Sequence, residues 1–118
     1  MGITSKIIRV RKFGESDQST EVEFMIDSGA VYSLVPGNVL DELGVKPHRT
    51  VDFSLADGTK ISRRVGDAYF EMNGERAAAP VIYGEEGDSA LLGATTLEAM
   101  GLVLNPFNRE LYPMRMLL

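Results

Sequence analysis

The sequence predicts an all-β domain with one or two short helices. Three observations carry that prediction. Apolar runs of strand length alternate with clusters of turn residues. Two pairs, Asp57-Gly58 and Asn73-Gly74, sit between such runs where hairpin turns belong. Helical spacing is confined to two short segments, 36–43 and 97–100.

Residues 6–13 (KIIRVRKF) read as a first strand, with Arg9 and Arg11 alternating against apolar neighbours. That alternation puts Arg9, Arg11 and Lys12 on a solvent face. A turn-rich break over 14–18 leads to a returning strand over 20–26. Its end, Phe24-Met25-Ile26, is continuously apolar and predicts burial on both faces. Pro36 suits the first turn of a short helix over 36–43. Val39, Leu40 and Leu43 would share its buried stripe, and Gly44 would stop it.

Parity decides the next hairpin. Val51, Phe53, Leu55, Ile61 and Val65 all have odd numbers. Residues paired across a hairpin share a face, so pairs of these residues sum to even numbers. The loop around Asp57-Gly58 must then have three or five residues. Around Asn73-Gly74 a two-residue loop pairs Glu71 with Arg76 and Phe70 with Ala77, which matches charge with charge and apolar with apolar. Another strand is expected over 80–84, a turn over 85–88 with solvated Glu85 and Glu86, and a short apolar strand over 89–92. Thr95 or Thr96 would cap the second helix, which stops at Gly101. A last strand or extended tail follows from Leu102, ending in an apolar stretch with Met114, Met116, Leu117 and Leu118.

The chain of 118 residues predicts a single domain, 1–118, long enough for a real core. No apolar run reaches membrane-spanning length, and residues 1–20 contain no secretory h-region, so neither a membrane nor a secretory role is expected. Twelve basic against seventeen acidic residues give a net charge of −5, which argues against nucleic-acid binding. With no cysteine, disulfides, thiolate catalysis and zinc-thiolate sites are excluded. The single His48 cannot form a histidine cluster and reads as a surface residue, so no metal and no cofactor are expected. The lack of cysteine fits a cytoplasmic location.

One segment stands apart. In FMIDSGA an apolar strand runs straight into the carboxylate of Asp27, then Ser28, Gly29 and Ala30. A carboxylate at the end of a buried strand carries a desolvation cost unless its surroundings donate hydrogen bonds. Gly29 would permit close backbone approach and unusual dihedral angles there. Read alone, the triplet is also compatible with an ordinary Asp-Ser-Gly turn.

The segment FMIDSGAVYSLVP, followed at a distance by ALLGATTLEAMGL, resembles the retropepsin-like aspartic proteases, the single-domain branch of the acid proteases. The VPGNVLDELG stretch and an intervening hairpin fit as well, and the resemblance covers roughly residues 6–106. It implies a closed acid-protease-type β barrel with one catalytic Asp per chain. Two carboxylates must share a proton in that chemistry. Only one Asp-Ser/Thr-Gly triplet is present, since Asp88-Ser89-Ala90 has Ala where Gly is needed. The resemblance therefore implies an obligate homodimer that hydrolyses peptide bonds between two Asp27 side chains. Ser28 would bond across the dimer, Gly29 would meet the substrate main chain and Ala30 would line the floor of the cleft. Ala56, Asp57 and Gly58 would form the tip of a flap over an extended peptide. Leu91, Leu92 and Gly93 would support the catalytic loop. The terminal strand would interleave with its partner. Position 94 is Ala where retroviral members carry an Arg, and the flap lacks their Gly-rich tip. A fold that dimerises or binds peptide without efficient cleavage is the alternative.

Overall fold

A computed structural model of the chain describes residues 4–14 and 18–115. Seven strands form one sheet that closes on itself, and two further strands form a small hairpin. The expected all-β class holds.

Strand β1 (Ser5–Arg11) pairs antiparallel with β2 (Ser19–Ile26). Ile8 and Val10 point into the core, while Arg9 faces solvent beside Glu21. Strand β3 (Ser33–Pro36) leads into helix α1 (Gly37–Leu43). Pro36 stays extended as the N-cap, one position earlier than its expected place inside the helix. Leu40 and Leu43 are buried, Val39 packs against the core, and Gly44 ends the helix in the left-handed conformation.

Strands β4 (Arg49–Ser54) and β5 (Lys60–Met72) pair with Phe53 opposite Ile61. The pairs sum to even numbers and the connecting loop, 55–59, has five residues, as parity required. Strands β5 and β6 (Glu75–Gly84) meet across Asn73-Gly74, with Glu71 opposite Arg76 and Phe70 opposite Ala77. Asn73 and Gly74 both have positive φ, the signature of the tight two-residue turn. The strand expected over 80–84 is thus the second half of a continuous ten-residue strand.

Strand β7 is shorter than expected, only Leu91–Leu92. It pairs parallel with the end of β2 and antiparallel with β3. The order β1-β2-β7-β3-β6-β5 returns to β1 through Val10 opposite Phe70, and β4 extends beyond the ring from β5. Helix α2 (Ala94–Ala99) begins after Gly93, so neither Thr95 nor Thr96 caps it. Both lie inside the helix, and Thr96 puts its hydroxyl to a different use described below.

The strand expected from Leu102 is present and forms a small hairpin. β8 (Leu102–Leu104) pairs with β9 (Leu111–Pro113), and Met114 N–H bonds to the Gly101 carbonyl. Residues 116–118 of the expected apolar tail lie outside the described residues, as do 15–17 of the first turn. Among the described residues, no helix is long and apolar enough to cross a membrane.

Two apolar clusters follow from this arrangement. The main core gathers Ile8, Val10, Phe24, Val35, Leu40, Phe70, Val81, Tyr83, Leu92 and Leu97 inside the ring. A smaller cluster of Leu34, Val65 and Ile82 is covered by Tyr32, Val51, Phe53 and Leu91. It lies where the β4–β5 hairpin meets the loop after Asp27.

Candidate active site

The buried run Phe24–Met25–Ile26 delivers Asp27 to the mouth of a tightly held loop. Phe24 and Ile26 are buried and Met25 is half-buried, so both faces of the strand end are largely covered. The main chain of β2 is held by β7: Met25 N–H donates to the Ala90 carbonyl at 3.0 Å and Asp27 N–H to the Leu92 carbonyl at 3.0 Å. The Asp27 carboxylate is half-buried, and its Oδ1 accepts the Gly29 N–H at 3.0 Å. Ala30 N–H closes the turn on the Asp27 carbonyl at 3.2 Å.

This geometry corrects one expectation. Gly29 does not adopt a positive φ; what distinguishes it is close approach, since a Cβ there would lie 3.2 Å from Asp27 Oδ1. Its contribution is the N–H that faces the carboxylate. Ser28 is exposed, and its hydroxyl has no hydrogen bond among the described residues.

The loop is braced from behind by the segment after β7. Ala94 N–H donates to the Ala30 carbonyl at 2.7 Å and Thr95 N–H to the Val31 carbonyl at 3.0 Å. Gly93 N–H donates to the Ser33 hydroxyl at 2.9 Å, and that hydroxyl lies 2.5 Å from the Thr96 hydroxyl. Ser33 and Thr96 are both fully buried. A buried pair of hydroxyls is tolerable only because each finds a partner. Gly93 is dictated by space: a Cβ would sit 2.5 Å from the Tyr32 carbonyl oxygen and 2.9 Å from that of Ala30. Leu91, Leu92 and Gly93 therefore support the loop as the sequence suggested, and Ser33 with Thr96 complete a brace that the sequence reading missed.

The hairpin of β4 and β5 ends in Ala56, Asp57 and Gly58, all exposed. Leu55 N–H bonds to the Thr59 carbonyl, Gly58 N–H bonds to the Leu55 carbonyl, and Gly58 has φ of 88°. Asp57 Oδ1 accepts the Thr59 N–H at 2.8 Å, and that bond holds its carboxyl below its usual range. Asp57 thus caps its own turn. No hydrogen bond joins these three residues to Asp27 among the described residues. Contact between hairpin and loop runs instead through Tyr32, whose ring meets Phe53 edge-on at 6.4 Å and whose hydroxyl accepts from Arg49 at 3.2 Å.

Other candidates resolve simply. His48 is exposed and pairs with Asp67 at 3.2 Å. Asp88 belongs to the 85–88 turn, closed by its own N–H on the Glu85 carbonyl, and is engaged by Arg63. Among the described residues, no group of three or more acidic or histidine side chains is placed to hold a metal ion.

A family model described as aspartyl protease matches residues 12–96. The chain belongs to the retropepsin-like aspartyl protease family. The match spans the Asp27 loop, the β4–β5 hairpin and the 91–96 brace. Among solved structures, EIAV protease, determined with the inhibitor HBY-793, is similar over 85% of this chain and 89% of its own, with a TM-score of 0.64 and 14% identity. The simian foamy virus (mac) protease is similar over 79% of this chain and 92% of its own, with a TM-score of 0.52 and 22% identity. At such identities the likeness is one of fold. No curated protein gives a significant match.

Proposed function

We propose that this aspartyl protease family member is an aspartic endopeptidase acting as a homodimer on peptide or protein substrates. The observation that carries the reading is the setting of Asp27. A carboxylate stands at the end of a buried strand, with the Gly29 N–H on one oxygen and a backbone bond from its own N–H to Leu92. An ordinary turn has no need of a separate brace built from Ser33, Gly93 and Thr96.

One carboxylate cannot both activate a water and protonate a leaving amine in the same step. Two that face each other share one proton, because like charges about 3 Å apart resist joint ionisation. In the proposed dimer the second Asp27 comes from a partner copy across a two-fold axis. The ionised member takes a proton from water, which attacks the scissile carbonyl. The protonated member gives its proton to the carbonyl oxygen as the tetrahedral diol forms; the member that took water's proton then passes it to the nitrogen as the C–N bond breaks, and the diol proton goes back to the dyad. No acyl-enzyme forms. Ser28, with its exposed hydroxyl, would bond across the dimer. Gly29 and Ala30 would meet the main chain of a substrate bound as an added strand. The β4–β5 hairpin, tipped by Ala56, Asp57 and Gly58, would act as the flap that covers it. The cytoplasm is part of the proposal only through the lack of cysteine.

The test is digestion of a peptide library by the purified chain at about pH 4 to 6, with Asp27→Asn beside it. Cleavage should fall by about 10³-fold or more in the variant, as loss of a general acid–base group requires. Sedimentation should give a dimer for both. A monomer at tens of micromolar with no cleavage from about pH 3 to 8 would sink the reading. The second reading, a peptide-binding module of the same fold, is favoured by Ala94, which offers only its N–H to Ala30 where retroviral relatives present an Arg. A stable dimer that binds but never cleaves would select it.

A further inference from the structure

The face of the β4–β5 hairpin that carries Val51, Phe53 and Ile61 also carries Arg63. Its side chain is only 14% exposed, against 48% for Arg9 in the surface pair with Glu21. Every guanidinium nitrogen is engaged. Nε donates to Asp88 Oδ2 at 2.8 Å, Nη2 to Asp88 Oδ1 at 3.2 Å, and Nη1 to the Ser62 carbonyl at 3.0 Å, with Glu85 3.7 Å away. A two-point Arg–carboxylate bond fixes orientation as well as distance.

Asp88 is equally constrained. Its Oδ2 also accepts the Glu85 N–H at 2.8 Å, so the carboxylate caps the 85–88 turn while holding Arg63. From that turn the chain runs directly into Ala90, Leu91 and Leu92. Ala90 and Leu92 supply the carbonyls that hold Met25 and Asp27, and Leu91 pairs with both Met25 and Leu34. The hairpin's return strand is thus joined by one ion pair to the turn that leads into the strand on which the Asp27 main chain rests.

We propose that Arg63 and Asp88 are positioning residues, forming a latch that sets the β4–β5 hairpin at a fixed height over the Asp27 loop. The proposal rests on the peptidase reading, in which that hairpin is the flap. A flap held at its base before substrate arrives pays less ordering cost when a peptide binds. The latch acts on binding, while the chemistry at Asp27 proceeds as before.

The experiment compares Arg63→Gln, Asp88→Asn and the double variant in the full-length chain. Amide hydrogen exchange is followed over 51–63 and at Met25 and Asp27, together with kcat and KM on a cleaved peptide. Each single change should speed exchange over 51–63 about tenfold and raise KM about tenfold, with kcat moving far less. The double variant should match the singles, since each already breaks the same bond. Arg63→Lys keeps the charge but loses the two-point geometry; it should fall in between, and it serves if the other variants fail to fold. Faster exchange confined to 85–90, or additive effects in the double variant, overturns the latch. A wild-type chain that cleaves nothing sinks the peptidase reading, while exchange still decides the latch. A wild-type chain that cleaves, with flap exchange unaltered in the variants, sinks the latch alone.

Discussion

The loop that carries Asp27 and the β4–β5 hairpin are held in opposite ways. The loop is fixed by backbone bonds from Leu92, Ala94 and Thr95 and by two buried hydroxyls, Ser33 and Thr96. The hairpin projects from the ring as an edge, with β4 paired to β5 alone and residues 54–60 exposed. Its hold on the body is by side chains: Phe53 on Tyr32, and Arg63 on Asp88. Backbone bonds in a buried segment open only with large-scale unfolding, whereas exposed hairpins open locally at small cost. The Asp27 loop is thus the rigid region and the hairpin tip the one that opens locally, the contrast that the proposed flap would use.

The largest effect should come from the Asp27 loop. In Gly93→Ala the new methyl meets two backbone carbonyls, neither of which can turn aside. We expect a loss of about 3 kcal/mol by chemical denaturation, with loss of any cleavage, because Leu92 carries the bond to Asp27. Wild-type stability in this variant would mean that the Asp27 loop is softer than the contacts imply. Ser33→Ala should cost less, about 1 to 3 kcal/mol, by leaving the buried Gly93 N–H without its acceptor. Adding Thr96→Val should then cost little more, since both changes remove one network.

The smallest effect is one of pH, and it falls on Asp88 in the 85–88 turn and on Glu71 in β5. Hydrogen bonds from Arg63 hold the Asp88 carboxyl below its usual value of 3.8, against the opposing effect of burial. Burial raises Glu71, but bonds from Arg76 and Arg11 outweigh it and leave its carboxyl below 4.5. Both groups bind protons more readily in the unfolded chain. Their stabilisation is therefore fully present above those ordinary values and is lost as the pH falls through the lower folded ones. The melting temperature should stay level down to about pH 5 and drop by a few degrees below about pH 4. Asp88→Asn should flatten part of that drop; a drop unchanged in Asp88→Asn would assign it elsewhere.

The same contrast explains what could be read from the residues. The class, the Asn73-Gly74 register and the odd length of the 55–59 loop followed from local rules, because alternation and turn chemistry act over a few residues, whereas the Asp27 motif stood out only through the family resemblance. Parity also held more than was taken from it. Arg63 has an odd number between Ile61 and Val65, so alternation alone puts a cation on the apolar face and demands an anion opposite. The Ser33–Thr96 pair was hidden for another reason. Its members are 63 residues apart, and Thr96 looked like a helix cap until tertiary packing gave its hydroxyl a better partner. The β8–β9 hairpin was legible only as a last strand or tail, because a strand's partner cannot be read from its own sequence: Leu111–Pro113 pairs with Leu102–Leu104.

Strand β7 contributes just two residues, yet it joins β2 to β3, and its partners in β2 lie 66 positions upstream. A chain leaving the ribosome cannot complete the Asp27 loop until residues 90–96 have also emerged, when most of the protein has been made. Synthesis order thus delays assembly of the Asp27 loop, whose supporting carbonyls and close-packed Gly93 all lie in the last third of the chain.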